Sequence, residues 1–260
     1  MPEAVTTAIT PDADLLEKQI VFMTGITVSF DGFKALQVGT FGLDRNELRV
    51  VVGPNGAGKT TLCDVISGKT RVTTGKVYFD RVETTHMKDV DIANLGVGRK
   101  FQTPTIFDSL TVYENMRLAL PGRRTVFRNL FMKESEAQKE SILSILERVH
   151  LTADITTPAK YLSHGQRQWL EISMLIVADP KLLLVDEPAA GLTDRETELT
   201  AELLLELKGH HTIMVIEHDM DFVRRLNTRV TVLNEGKVLA DGTLDQVQAD
   251  PLVIEAYLGR

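Results

Sequence analysis

The run Gly53-Pro54-Asn55-Gly56-Ala57-Gly58-Lys59-Thr60-Thr61 constrains this chain more than any other stretch. Four residues separate Gly53 from Gly58 and Lys-Thr follows at once, which is the spacing of a phosphate-binding loop. Its flanks agree. Residues 48–52 are apolar and Val-rich, as a strand requires, and residues 61–67 carry helical spacing that stops at Gly68. A strand, a glycine turn and a helix in that order curl the backbone so that successive N–H groups point inward. The positive end of the helix dipole adds to their pull on a polyphosphate. Lys59 is expected to reach the β- and γ-phosphates, and the Thr60 hydroxyl to ligate Mg²⁺.

A second stretch supplies acids. In Leu182-Leu183-Leu184-Val185-Asp186-Glu187 four consecutive apolar residues end in two carboxylates. This reads as a strand buried on both faces of a parallel sheet, delivering the acids at its C-terminal edge. Neighbouring strand positions point to opposite sides, so the two acids take different tasks. Asp186 is expected in the Mg²⁺ shell, and Glu187 is expected to orient or deprotonate an attacking water. Residues 212–217 form another apolar strand that ends at His218, placed to reach a γ-phosphate. Residues 96–102 read as a short strand ending on Gln102 before a Pro-containing loop, where an amide can sense Mg²⁺ or the water.

The remainder sets the frame. Acidic residues (36) exceed basic ones (29), for a formal charge of -7, which argues against bulk attraction to nucleic acid. The single cysteine, Cys63, excludes an intrachain disulfide, and its place after the phosphate loop suggests a packed thiol. Residues 1–17 lack a basic start and a long apolar core and read as a mobile tail, leaving 18–260 as one domain. No apolar run approaches the roughly 20 residues of a spanning helix. Residues 20–30 and 34–43 read as strands joined by an Asp31-Gly32 turn, and Phe30 ends the first where an aromatic could stack on adenine. Helical spacing dominates from about residue 111, so residues 103–178 are expected to build an inserted helical lobe. Within it, residues 121–133 are basic, with Phe127, Leu130 and Phe131 at helix-like spacing, fitting packing in the lobe or contact with a membrane or partner.

Leu162-Ser163-His164-Gly165-Gln166 joins these parts, since it resembles the signature motif of the ATP-binding cassette (ABC) ATPases. In family order the chain then offers the adenine platform Phe30, the Walker A loop 53–61, the Q-loop Gln102, the signature, Walker B at 182–186, the catalytic Glu187, a D-loop around residues 191–194 and the switch His218. His164 stands where the family commonly has a second glycine, while Ser163 and Gly165 are kept. The resemblance implies an α/β fold, a P-loop ABC core with an N-terminal antiparallel β subdomain and the helical insertion. It also implies ATP and Mg²⁺ as ligands. Ser163, Gly165 and Gln166 would meet the ATP held on the Walker A loop of a second ABC subunit, identical or related, in a head-to-tail sandwich.

Residues 29–36, 98–102 and 162–171 and the ending 255–260 resemble most the ATP-binding subunits of bacterial urea importers, which belong with the branched-chain amino-acid importers. That resemblance implies a peripheral protein on the cytoplasmic face of the inner membrane. Its partners would be permease subunits and, through them, an external binding protein, with urea as cargo and a branched-chain amino acid or short amide as the alternative. Gln102 would couple nucleotide state to the permease groove. DNA-repair members would need a long heptad insertion between the two halves, for which residues 102–162 are too short and irregular.

Overall fold

The computed structural model describes residues 11–99, 106–121 and 134–258. A short helix, α1 (Ala13–Lys18), leads into the long hairpin of β1 (Gln19–Phe30) and β2 (Phe33–Asp44), then β3 (Leu48–Val52), the phosphate loop and α2 (Lys59–Ile66). There follow β4 (Thr74–Phe79), β5 (Val82–Glu83), α3 (Asp89–Leu95) and β6 (Val97–Arg99). Among the described residues the α-helices α4 (Val112–Ala119), α5 (Glu136–Arg148) and α6 (His164–Val177) come next. The chain then alternates through β7 (Leu182–Asp186), α7 (Asp194–Leu207), β8 (Thr212–Ile216) and α8 (Met220–Leu226). It closes with β9 (Arg229–Asn234), β10 (Lys237–Gly242), α9 (Leu244–Ala249) and α10 (Pro251–Leu258).

Among the described residues these strands form two sheets. One is antiparallel, in the order β2-β1-β4-β5, and the other is mixed, in the order β10-β9-β3-β8-β7-β6. In the mixed sheet β3 pairs in parallel with β8 and β9, β7 with β8 and β6 with β7, so only the β9–β10 hairpin is antiparallel. The α/β fold with an antiparallel β subdomain is therefore present as expected. The Asp-Gly pair at the β1–β2 turn has both residues at positive φ, 48° and 88°, the backbone of a two-residue hairpin loop whose twist matches the strands.

The apolar runs explain why the mixed sheet lies at the centre. Val50, Val52, Leu183, Val185, Ile213 and Val215 face one buried cluster, which takes in α4, α5 and α6. The alternate residues Val51, Leu182, Leu184, Met214 and Ile216 face a second, which takes in α2 and the β1–β2 hairpin. Strands with apolar residues at successive positions are thus buried on both faces, each Leu, Ile or Val contributing about 1.5–3 kcal/mol. The helices start on side-chain signals: Thr111 with Glu114, Ser135 with Gln138, Ser163 with Gln166 and Thr193 with Glu196 all form reciprocal capping boxes.

The amino-terminal stretch differs in part from the reading of residues 1–17 as a tail. Asp12 caps Leu15 N at 2.8 Å, and the carbonyls of Leu16 and Glu17 accept from the Arg45 guanidinium at 3.4 and 2.7 Å. Six residues are too few for helical periodicity to register in the sequence. Of the basic segment 121–133, residues 122–133 lie outside the described residues.

Candidate functional site

Parallel pairing of β3, β8 and β7 brings the motifs to one edge. Val51 is level with Ile216, and Ile216 with Asp186, so the residues that follow each of them leave the sheet side by side. The phosphate loop, Glu217-His218 and Glu187 are therefore neighbours, although Glu187 and Glu217-His218 follow the loop by about 130 to 165 residues in sequence.

The loop is shaped by close approach. Gly58 sits at φ +99° directly before α2, and a Cβ there would lie 2.8 Å from the Ala35 carbonyl of β2. Only glycine fits both the left-handed backbone and that contact. The same β2 segment is pinned by the β9–β10 turn, where Gln37 N donates to Gly236 O at 2.6 Å and Gly236 N to Ala57 O at 3.0 Å. Among the described residues no protein acceptor takes the N–H groups of Gly58, Lys59 or Thr60, which leaves a helix N-terminus with free donors. Lys59 is buried, and its ammonium donates to the carbonyls of Gly53 and Pro54 at 2.7 and 3.1 Å. Burial holds its pKa below the ordinary lysine value, partly opposed by the negative charges of Glu187 and Asp186. Asn55, Gly56 and Thr60 are exposed around it, and Thr61 is half-buried.

Asp186 lies on the α2 side of β7, and Glu187 starts the following turn. Burial first, and the Glu187 charge second, push the Asp186 carboxyl above the usual range, against Arg99 and Lys59. Its Oδ2 is buried without a hydrogen-bond partner. Glu187 adopts φ +48°, a left-handed backbone that costs a non-glycine residue on the order of 1 kcal/mol and persists where its surroundings over-determine it. Its carboxylate stands 3.4 Å from His218 Nδ1. Sequence reasoning misses Glu217, which is 1% exposed. Its Oε1 accepts from Ala189 N at 3.0 Å, and its Oε2 from His218 N at 2.8 Å and Asp219 N at 3.2 Å. One buried carboxylate thus fastens the turn after Glu187 to the loop of His218. A charged residue closing an all-apolar strand next to His218 is the signal that could have found it.

The other expected site residues lie apart. Phe30 is 51% exposed at the hairpin tip, free of the core. Ser163 caps α6 by accepting from Gln166 N at 3.2 Å. The Gln166 side chain is committed locally, accepting from Ser163 N at 2.9 Å and donating to Asp154 at 2.8 Å. Gly165 packs on Glu196 of α7, where a Cβ would overlap the carboxylate. Among the described residues no hydrogen bond or ion pair joins Ser163, Gly165 or Gln166 to the phosphate loop of their own chain. Gln102 lies outside the described residues.

The residues present fit Mg²⁺. A hard, octahedral cation takes one or two protein oxygens together with phosphate and water. The unpartnered Oδ2 of Asp186 and the exposed Thr60 hydroxyl are donors of that kind. Among the described residues no group of three or more His, Cys, Asp or Glu side chains is placed to hold a metal ion. Nor is any described helix long and apolar enough to cross a membrane.

Known proteins match this chain along most of its length. The profile of the family described as "ABC transporter" covers residues 36–190, and that of "Branched-chain amino acid ATP-binding cassette transporter" covers residues 237–260. The high-affinity branched-chain amino acid transport ATP-binding protein LivG of Escherichia coli K12 is 35% identical over 253 residues, spanning 94% of this chain and 99% of the relative. BraF of Pseudomonas aeruginosa, with the same description, is 34% identical over 256 residues, with the same coverage. A crystal structure of the ADP conformation of an ATP-binding cassette of an ABC transporter superposes with a TM-score of 0.80 at 31% identity, covering 93% of this chain and 99% of that one.

Proposed function

Because the chain belongs to the ABC transporter family, in the group of branched-chain amino acid ATP-binding subunits, we propose that it powers import of a small solute through a membrane permease. It hydrolyses ATP as a member of that family. One observation carries the assignment of roles: Lys59, Asp186, Glu187 and His218 converge at the C-terminal edge of three adjacent parallel strands.

The roles follow from that geometry. The free N–H groups at the start of α2 and the Lys59 ammonium bind the β- and γ-phosphates, exchanging the Gly53 and Pro54 carbonyls for phosphate oxygens. Gly53, Pro54, Asn55, Gly56, Ala57 and Gly58 form the backbone cradle, Thr60 and Thr61 line its exit, and Phe30 stacks on adenine. Thr60 and Asp186, together with Gln102, would hold Mg²⁺, which would neutralise phosphate charge when bound. Glu187 accepts a proton from water as the water oxygen bonds to the γ-phosphorus. The β–γ bridging bond breaks toward ADP, and His218 orients the attacked phosphoryl group.

Ser163, Gly165 and Gln166 have no task in their own chain's site. They serve the ATP of a second ABC subunit, the same chain or a related one, so that ATP closes a head-to-tail pair and hydrolysis reopens it. Gln102 and the loop after it couple this cycle to the permease at the cytoplasmic membrane face. An external binding protein delivers cargo from the other side.

For the cargo, the names of the relatives favour a branched-chain amino acid over the urea expected from residues 29–36, 98–102 and 162–171. The deciding experiment co-expresses the chain with the permease and ATPase encoded beside it and measures ATP turnover with loaded binding protein. Stimulation by leucine is expected. Stimulation by urea alone restores the urea assignment, and absence of any permease complex defeats the importer reading.

A further inference from the structure

We propose that His164 and Gln168 are positioning residues for Glu187, making the signature helix the part that sets the catalytic turn. The two lie four apart on α6 and so share one of its faces. His164 Nε2 is 3.2 Å from the Ala190 carbonyl, and since a carbonyl only accepts, this nitrogen is the donor. Gln168 is buried, and its Nε2 donates to the Pro188 carbonyl and, at 3.4 Å, to that of Glu187. Three of the four carbonyls in the turn 187–190 are thus taken by one helix face.

The opposite side of the turn is closed as well. Glu187 N donates to Ile216 O at 2.9 Å, and Ala189 N donates to the buried Glu217. Gly191, at φ +72°, comes so near His164 that a Cβ on it would lie 3.2 Å from Nε2. The left-handed backbone of Glu187 is held between these two sets of bonds. Without the donors of α6 the turn is free to relax, carrying the carboxylate away from His218 Nδ1.

His164, which replaces the family's commoner glycine, therefore gives the signature a grip on its own chain's Walker B turn. Ser163 caps the same helix, so whatever engages Ser163 acts on the element that holds Glu187. This last link rests on the proposed sandwich, in which Ser163 engages the partner's ATP. The positioning role stands on the intrachain contacts alone.

The test uses the full chain, with His164→Ala and Gln168→Met each made alone and also in a Glu187→Gln background. His164 is exposed, so its truncation opens no cavity and remains informative even if Gln168→Met fails to fold. In the native background kcat is expected to fall by about ten- to a hundredfold, with KM for ATP within about twofold, because the phosphate loop is untouched. In the Glu187→Gln background the same substitutions should change residual turnover by less than about twofold, since they act through the carboxylate already removed. Unchanged kcat for His164→Ala, or losses that add fully to that of Glu187→Gln, overturns the proposal. ATP-dependent dimerisation of Glu187→Gln, followed by light scattering, tests the sandwich separately: its absence defeats that reading, while the kinetic comparison still decides the positioning role.

Discussion

Replacing Glu217 by Gln tests how the site is held together, because shape is kept and only acceptors are lost. The carboxylate takes one N–H on Oε1 and two on Oε2, from Ala189, His218 and Asp219. A glutamine has one oxygen, so its amide NH₂ must face at least one of these donors, and the remaining bonds lose their ionic character. Bonds to a charged acceptor are worth about 1.5–3 kcal/mol each, and the side chain is 1% exposed, so water cannot substitute. A loss of about 2–4 kcal/mol is expected. For a chain of this size that lowers the melting temperature by about 4–16 °C. Below the new transition, kcat should fall at least about tenfold while KM for ATP moves less, because Glu187 and His218 shift whereas Lys59 keeps its own carbonyl contacts. Differential scanning fluorimetry and steady-state ATPase kinetics read the two effects. A variant with native melting temperature and native kcat would refute the idea that Glu217 fastens the catalytic turn to the switch loop.

Further expectations concern the acids and the lysine. Glu187→Gln should retain ATP binding, lose at least about a hundredfold in turnover and accumulate as an ATP-bound dimer in light scattering; a monomer at saturating ATP refutes the sandwich. Asp186 has a folded-state pKa raised above its ordinary 3.8, so the folded chain holds its proton more tightly than the unfolded one. Stability of the nucleotide-free chain should therefore decline as pH rises from that ordinary value through the raised one. Asp186→Asn should abolish this decline, melt higher than the native chain near neutral pH and lose hydrolysis, all visible in pH-resolved melting curves. Lys59→Ala removes the one ammonium of the loop and should weaken ATP binding by about tenfold or more in calorimetry, with native affinity as the contrary result.

Much of the site is visible in the sequence because each of its parts is local. A glycine loop between strand and helix, or two acids at the end of an apolar strand, is one chemical unit within ten residues. The ends of helices are similarly local, as Ser163 and Gln166 show by capping each other three residues apart. Glu217 and Gln168 were not legible, because their partners are backbone groups some 20 to 30 residues away whose position depends on how helices and strands pack. The short α1 escaped for a different reason, its hold on Arg45 being a tertiary contact that propensity does not record. Cargo is illegible in principle at a subunit proposed to meet nucleotide and permease rather than solute.

By itself, then, the sequence determined the ligand chemistry and the two-faced central strands, since apolar runs and glycine spacing act over a few residues. Tertiary structure alone decided that β3, β8 and β7 lie side by side, which places Lys59, His218 and Glu187 at one edge. It also decided that the signature helix grips the turn of Glu187. Strand order and helix facing are set by which buried surfaces fit together, a property of the packed whole that no single segment carries.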